Sequence, residues 1–374
     1  MSIRIAKVGF ILLVFVMLLN LGCFLFLRSQ PTNEYLQIPI EERSLFCFAP
    51  GVGGPAFSLR PNFSQRFRFP EFDTVIRTNA TGQREDLPYS GKPLDVGVVG
   101  DSFVFGFGVN ATERVSDLLR KRHPTMEISS FGFTAGGYPI DYYLFYKTNP
   151  QYLGKLNFLF TYLGNDYGSD VEERTYRFNE EGIITDAPFT QKSVRADGSI
   201  AYIETSSTVG SVLKYLDQFS VGKVLLMAYG SIRSNIFQPK VPPQQKPKEW
   251  NDLDSGNFSK SAIQSLTYLK LLNEWIRKEG KGLIVVQIPE TFRVRKHGSC
   301  PYEETKCTDL LKNRRAQTHL TRWFQENGIE SLDLTPLLQD AERSGTKAYF
   351  DEDAHWTVLG HQVAADAVEH YLKK

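Results

Sequence analysis

Val96-Gly97-Val98-Val99-Gly100-Asp101-Ser102 is the stretch from which the fold is read. A short, uninterrupted run of valine and glycine is the pattern of a strand buried on both faces. Parallel sheets covered by helices on each side are built from such strands. Gly100 closes the run and Asp101-Ser102 fall in the turn beyond it. A helix follows at about 112–122, with Val115, Leu118 and Leu119 on one face. Met126 to Phe131 is a second strand, Tyr138 to Tyr146 a helix, and Leu156 to Tyr162 a third strand. Between Ser259 and Lys278, Ile263, Leu266, Leu269, Leu272 and Ile276 recur at helical spacing and lead into a buried strand over Leu283 to Ile288. Arg314 to Glu326 is a helix ended by Asn327-Gly328. Ile329 to Leu334 is the last strand and Gly360 to Leu372 the last helix. Buried strands alternating with helices predict an α/β fold with a doubly wound parallel sheet.

The chain has 374 residues, 41% of them hydrophobic, which is ample for one large core. A net charge of +1 with no long basic run argues against a nucleic-acid partner. The six histidines are scattered and no metal-type Cys/His spacing is visible, so no cofactor is expected. Val8 to Leu27 is apolar except for Asn20, Gly22 and Cys23. As a helix it would rise about 30 Å, enough to cross a bilayer. Arg4 and Lys7 precede it, and Glu34, Glu41 and Glu42 follow Arg28. That asymmetry orients the chain with its body outside the cytoplasm. The run is long for a signal peptide and lacks a clear small-x-small cleavage site, which favours an uncleaved single-pass anchor. In an oxidising compartment Cys300 and Cys307 are placed to close a small loop. Residues 1–30 thus read as a membrane anchor, and 31–94 as a tether and β-rich, turn-rich extension. Residues 95–374 read as the α/β domain, interrupted at about 170–258. That interruption contains a hairpin region over Tyr176 to Tyr202, a helix around Val209 to Phe219 and several prolines. A cap over a site and a surface excursion are both open for it.

In an open parallel sheet, ligands bind beyond the carboxyl ends of the strands. Four short blocks fall there. Gly100-Asp101-Ser102 follows the first strand and Gly132 the second. Gly164-Asn165-Asp166 follows the third, and Asp353-Ala354-His355 precedes the last helix. Each alone has an ordinary explanation: a βα turn, a turn glycine, a turn asparagine, an acidic surface loop. Taken in order they supply a hydroxyl nucleophile, a base about 250 residues later and an acid two positions before that base. Asp351 and Glu352 adjoin Asp353, so which carboxylate serves the histidine is left open by spacing alone.

The four blocks resemble those of the SGNH, or GDSL-type, hydrolase superfamily, over roughly residues 95–374. The preceding Arg77-Thr78-Asn79-Ala80-Thr81-Gly82 stretch is similar to the β-rich lead-in of membrane-anchored bacterial members. The resemblance implies a flavodoxin-like sheet, with Ser102 as nucleophile, His355 as base and Asp353 as its orienting acid. It also implies an oxyanion hole formed by the backbone N–H groups of Ser102 and Gly132 and the side chain of Asn165. The commonest family block is Asp-x-x-His, but three before His355 stands Glu352. Asp353-Ala354-His355-Trp356 instead looks like the block of envelope polysaccharide O-acetyltransferases.

Three functions are therefore expected, in decreasing order. The first is a serine esterase acting outside the cytoplasm on an acylated glycan or lipid. The second is an O-acyltransferase on a cell-envelope polysaccharide, with a membrane protein supplying acyl groups. The third is a non-catalytic envelope binding module. The expected location is the bacterial inner membrane, with the domain facing the periplasm.

Overall fold

The computed structural model describes residues 71–80, 83–84, 91–132, 138–167, 253–295, 302–351 and 353–373. It also describes the shorter segments 14–23, 46–47, 58–59, 64–68, 177–178, 184–186, 192–194 and 200–202 and residues 25, 62 and 300. The chain divides into two compact units. Phe46–Ser64, Glu71–Ile203 and Lys246–Lys374 form the larger; Met1–Leu45, Gln65–Pro70 and Glu204–Gln245 form the smaller. The parallel sheet and the candidate site lie in the larger unit.

The larger unit is built on five parallel strands: β1 (Val96–Gly100), β2 (Ile128–Gly132), β3 (Leu156–Tyr162), β4 (Gly282–Ile288) and β5 (Glu330–Asp333). Their spatial order is β5-β4-β3-β1-β2. The helices are α1 (Ser102–Phe105), α2 (Val115–Arg122), α3 (Pro139–Thr148), α4 (Lys260–Lys278), α5 (Thr291–Val294), α6 (Glu304–Lys312), α7 (Arg315–Glu326), α8 (Thr335–Glu342) and α9 (Val358–Leu372). The chain leaves β1 towards β2 on one side and returns to β3 on the other. The sheet order therefore reverses beside β1, and the crevice of a doubly wound fold opens at that point.

Alternation along the strands makes the sheet two-faced. Val96 and Val98 of β1, Phe158 and Phe160 of β3 and Ile284 and Val286 of β4 join Val115, Leu119, Leu338, Ala364 and Val368 in one core. Val99, Leu159 and Val285 point the other way, into a core with Tyr142, Phe145, Leu266, Leu269, Leu272, Leu320 and Phe324. Each fully buried aliphatic or aromatic side chain contributes about 1.5–3 kcal/mol, so both helix layers are held by the same valine-rich strands. Ser259 caps α4 by accepting from the Ala262 N–H. Ile263, expected on the buried stripe of α4, is instead 54% exposed, because the stripe begins at Ala262 and Leu266.

Helices α6 and α8 were not expected from the sequence. Each buries little, α6 only Leu310 and α8 only Thr335 and Leu338, so neither writes a clear apolar period. The expected hairpin region carries two antiparallel pairs, Arg177–Phe178 with Ile184–Asp186 and Lys192–Val194 with Ile200–Tyr202. The helix expected around Val209 to Phe219 lies outside the described residues. In the extension, Phe46–Cys47 pairs with Ser58–Leu59 and Asp73–Arg77 forms a strand. Cys300 and Cys307 are joined in a disulfide.

Within the smaller unit, residues 14–23 are helical, with Phe15, Met17 and Leu18 each more than half exposed. Among the described residues no helix is long and apolar enough to cross a membrane. The span expected over Val8 to Leu27 is therefore not among the described helices, and much of that run lies outside the described residues.

Candidate active site

Ser102 stands where β1 gives way to the single turn α1. Asp101 caps that turn, its carboxylate accepting from the Phe103 N–H at 3.0 Å. Gly106 ends it with φ of 78°, a left-handed conformation that glycine adopts without penalty. Ser102 is thus held on a short loop between a buried strand end and a glycine turn.

The partner residues come from the far end of the chain. Tyr349 and Trp356 form an antiparallel bridge, and the Phe350 N–H donates to the His355 carbonyl at 3.0 Å. Tyr349–Phe350 and His355–Trp356 are thereby held side by side. The Asp353 carboxylate accepts from the backbone N–H of His355 at 2.9 Å and also pairs with His355 Nδ1. His355 Nε2 lies 2.6 Å from Ser102 Oγ. In the tautomer that Asp353 selects, Nδ1–H donates to the carboxylate and Nε2 is left to accept the serine proton. Phe103 and Phe107 flank the imidazole, with ring centroids at 5.1 and 5.0 Å. The His355 and Asp353 side chains are 22% and 29% exposed, so the pair remains open to a substrate.

Electrostatics separate the acids. Burial pushes the Asp353 carboxyl up, but the hydrogen bond and charge of His355 outweigh it and hold the group below its ordinary value. Asp101 is fully buried, and burial raises it to about 6 against the opposing Phe103 N–H bond and the charge of His355. Asp166 is raised well above the carboxylate range, by burial first and then by the charge of Asp101. Asp351, the competing acid, is occupied elsewhere: Arg295 reaches it at 3.0 Å and Lys347 pairs with its other oxygen. Glu352 lies outside the described residues.

The other predicted site residues fall as follows. Gly132 ends β2 and is in register with Gly100. A Cβ at Gly132 would stand 2.0 Å from Phe105 N and 2.2 Å from Phe105 Cα, so the strand end is pressed directly against the α1 backbone. Gly132→Ala is expected to cost about 3 kcal/mol, since backbone rather than a flexible side chain must move. Urea unfolding of the two proteins checks this, and equal midpoints would contradict it. Asn165 is exposed on the turn after β3 and makes no hydrogen bond to Ser102 or His355. Asp166 anchors that turn, accepting from the Tyr162 N–H at 3.1 Å. Trp356 is fully buried beneath the site, edge-on to Phe103 with centroids 5.0 Å apart, and so belongs to the core and not to the cleft.

Sequence reasoning passed over three contacts from the extension. Glu71 accepts from the backbone N–H groups of Asp351 and Asp353. Phe72 packs on Phe107 and Phe350. Buried Arg84 donates to backbone carbonyls at the last residue of α1 and just after it. No local pattern marks them, because their partners lie up to 282 residues away.

Residues 249–374 match the family model described as SGNH hydrolase-like domain, acetyltransferase AlgX. Over those residues the chain is similar to an SGNH hydrolase-like domain. Among solved structures, it is similar to a member of the lipolytic protein G-D-S-L family from Veillonella parvula. The identity is 10%, with 75% of this chain and 99% of that one covered and a TM-score of 0.37. An acetyl xylan esterase is similar at 10% identity over 74% of this chain and 99% of that one, with a TM-score of 0.38. An extracellular lipase from Streptomyces rimosus is similar at 11% identity over 74% of this chain and 99% of that one, with a TM-score of 0.37. No curated protein matches the chain.

Proposed function

We propose that this chain is a serine esterase that removes acyl groups from a glycan or lipid outside the cytoplasm. The observation that carries this reading is the line from Ser102 Oγ through His355 to Asp353, with 2.6 Å between Oγ and Nε2. Ser102 Oγ attacks the acyl carbonyl while Nε2 takes its proton. The imidazolium, steadied by Asp353, returns that proton to the leaving alkoxide, and an acyl-enzyme remains. Water then attacks with His355 as base, and the acid and free serine are released. The N–H groups of Ser102 and Gly132 and the Asn165 amide are assigned to the oxyanion, each donor supplying about 3–4 kcal/mol of barrier reduction.

A second reading is O-acyl transfer to an envelope polysaccharide, in which a sugar hydroxyl replaces water in the second step. The match of residues 249–374 to the acetyltransferase AlgX description favours it. So does the Asp353-Ala354-His355-Trp356 block. The apolar run Val8 to Leu27 is assigned as the anchor that keeps the domain at the outer face of a bacterial inner membrane, near a membrane protein donating acyl groups.

The test is release of p-nitrophenol from p-nitrophenyl acetate by a soluble form beginning near residue 31, with Ser102→Ala as control. Acceptor oligosaccharides are then added and the fate of the acetyl group followed by mass spectrometry. Free acetate regardless of acceptor supports the esterase, and acetylated sugar supports the transferase. A folded wild type no faster than Ser102→Ala, with either acceptor, would leave the binding module as the standing alternative.

A further inference from the structure

The triad joins two loops that lie about 250 residues apart. α1 is a single turn ended by Gly106, and the His355 loop is a short excursion from one β-bridge. Both are tied to the same short segment of the extension. Arg84 Nη1 donates to the Phe105 carbonyl at 2.7 Å and to that of Gly106, and Nη2 donates to Val109 at 2.6 Å. Its guanidinium is buried and lies 4.7 Å from the centroid of the Phe105 ring. Glu71 Oε1 accepts from Asp351 N–H at 2.6 Å and Oε2 from Asp353 N–H at 2.9 Å, so one carboxylate grips the backbone on both sides of residue 352. Between the two ion-bearing residues sits Phe72, with centroids 5.4 Å from Phe107 on the serine loop and 5.2 Å from Phe350 on the histidine loop. Val75 N–H reaches Asn110 Oδ1 at 3.3 Å, continuing the seam.

We propose that Glu71 and Arg84 are positioning residues for the reaction: the extension clamps the serine loop and the histidine loop in the register that sets Ser102 Oγ against His355 Nε2. The inference rests on the serine-nucleophile reading above. Charge-assisted bonds to main-chain groups are the strongest available for this task. Three buried carbonyls around one planar fork are a geometry that lysine cannot copy. A displacement of about 1 Å between reacting groups costs on the order of 10²-fold in rate. Loss of either grip should therefore appear in the chemical step rather than in substrate binding.

The experiment compares wild type, Glu71→Gln, Glu71→Ala, Arg84→Lys and Arg84→Ala. For each it measures kcat and KM on p-nitrophenyl acetate, the second-order rate of Ser102 labelling by a fluorophosphonate, and the melting temperature. kcat and the labelling rate are expected to fall together, by about 10²-fold in the alanine variants and by less in Glu71→Gln and Arg84→Lys, with KM nearly unchanged. Glu71→Gln keeps one acceptor oxygen and so serves where Arg84→Ala does not fold. Variants that melt earlier yet label and turn over at the wild-type rate while folded would show a merely structural role and overturn the clamp. A wild type that the fluorophosphonate does not label more than Ser102→Ala overturns the nucleophile reading, and the clamp with it.

Discussion

Ser102→Ala and His355→Ala are each expected to lower kcat on an activated acetyl ester by on the order of 10⁵-fold, and Asp353→Asn by on the order of 10⁴-fold. Among the described residues, Ser102 is the hydroxyl on His355 Nε2, at 2.6 Å. Asparagine at 353 keeps the size of the side chain but offers the imidazole an amide in place of a carboxylate. It can no longer both select the Nδ1–H tautomer and stabilise the imidazolium. Asp351→Asn is the informative contrast. Its carboxylate pairs with Arg295 and Lys347 at a partly exposed position, and such pairs are worth at most about 1 kcal/mol. The rate should stay within about fivefold of wild type. Steady-state kinetics on the four variants decide the matter. An Asp351→Asn defect equal to that of Asp353→Asn would mean that the wrong carboxylate has been assigned to His355.

His361 should make the fold acid-sensitive. It lies in α9, 1% exposed, edge-on to Trp356 with centroids 5.4 Å apart. Neither ring nitrogen has a hydrogen-bond partner among the described residues. Burial lowers its pKa to about 3, reinforced by the charges of Arg114, Arg84 and His355. The folded value is thus depressed below the unfolded one of about 6.5. Between those values the unfolded chain binds a proton that the folded chain refuses, so stability falls as pH drops, by about 1.4 kcal/mol per unit. Asp101 acts in the opposite sense. Its folded value of about 6 lies above the unfolded one, so the folded chain takes up a proton first, and this favours folding as pH falls from about 6 towards 4. Comparing wild type with His361→Gln cancels that term. Relative to wild type, the variant should gain about 3 kcal/mol between pH 7 and pH 4, measured by urea unfolding at each pH. A stability gap that does not change with pH would show that His361 is charged or hydrated in the fold.

The parallel sheet was legible because its signal is local. Val96 to Val99, Leu156 to Tyr162 and Leu283 to Ile288 are continuous apolar runs bounded by turn residues, and the helices between them carry apolar faces at a regular period. The same locality accounts for α6 and α8 being passed over, since helices that bury one or two side chains leave almost no period to read. For the site, block order brought Ser102, Asp353 and His355 into consideration, and the resemblance assigned their roles. The acid was not separable by spacing, because Asp351, Glu352 and Asp353 are consecutive and each is within a turn of His355. What separates Asp351 from Asp353 is the company each keeps in space: Arg295 and Lys347 for the first, the imidazole for the second.

What the sequence by itself determined is therefore the α/β class, the strand succession and the blocks that carry Ser102 and His355, all encoded in runs of a few residues or in the chain order of short blocks. The tertiary structure alone decided which carboxylate meets His355, how Glu71, Phe72 and Arg84 bind the Ser102 and His355 loops, and that His361 is sealed in the core. Each of these depends on contacts between segments far apart in the chain. Hydrogen-bond geometry and exclusion of water arise only when those segments pack, and no local pattern of residues records them.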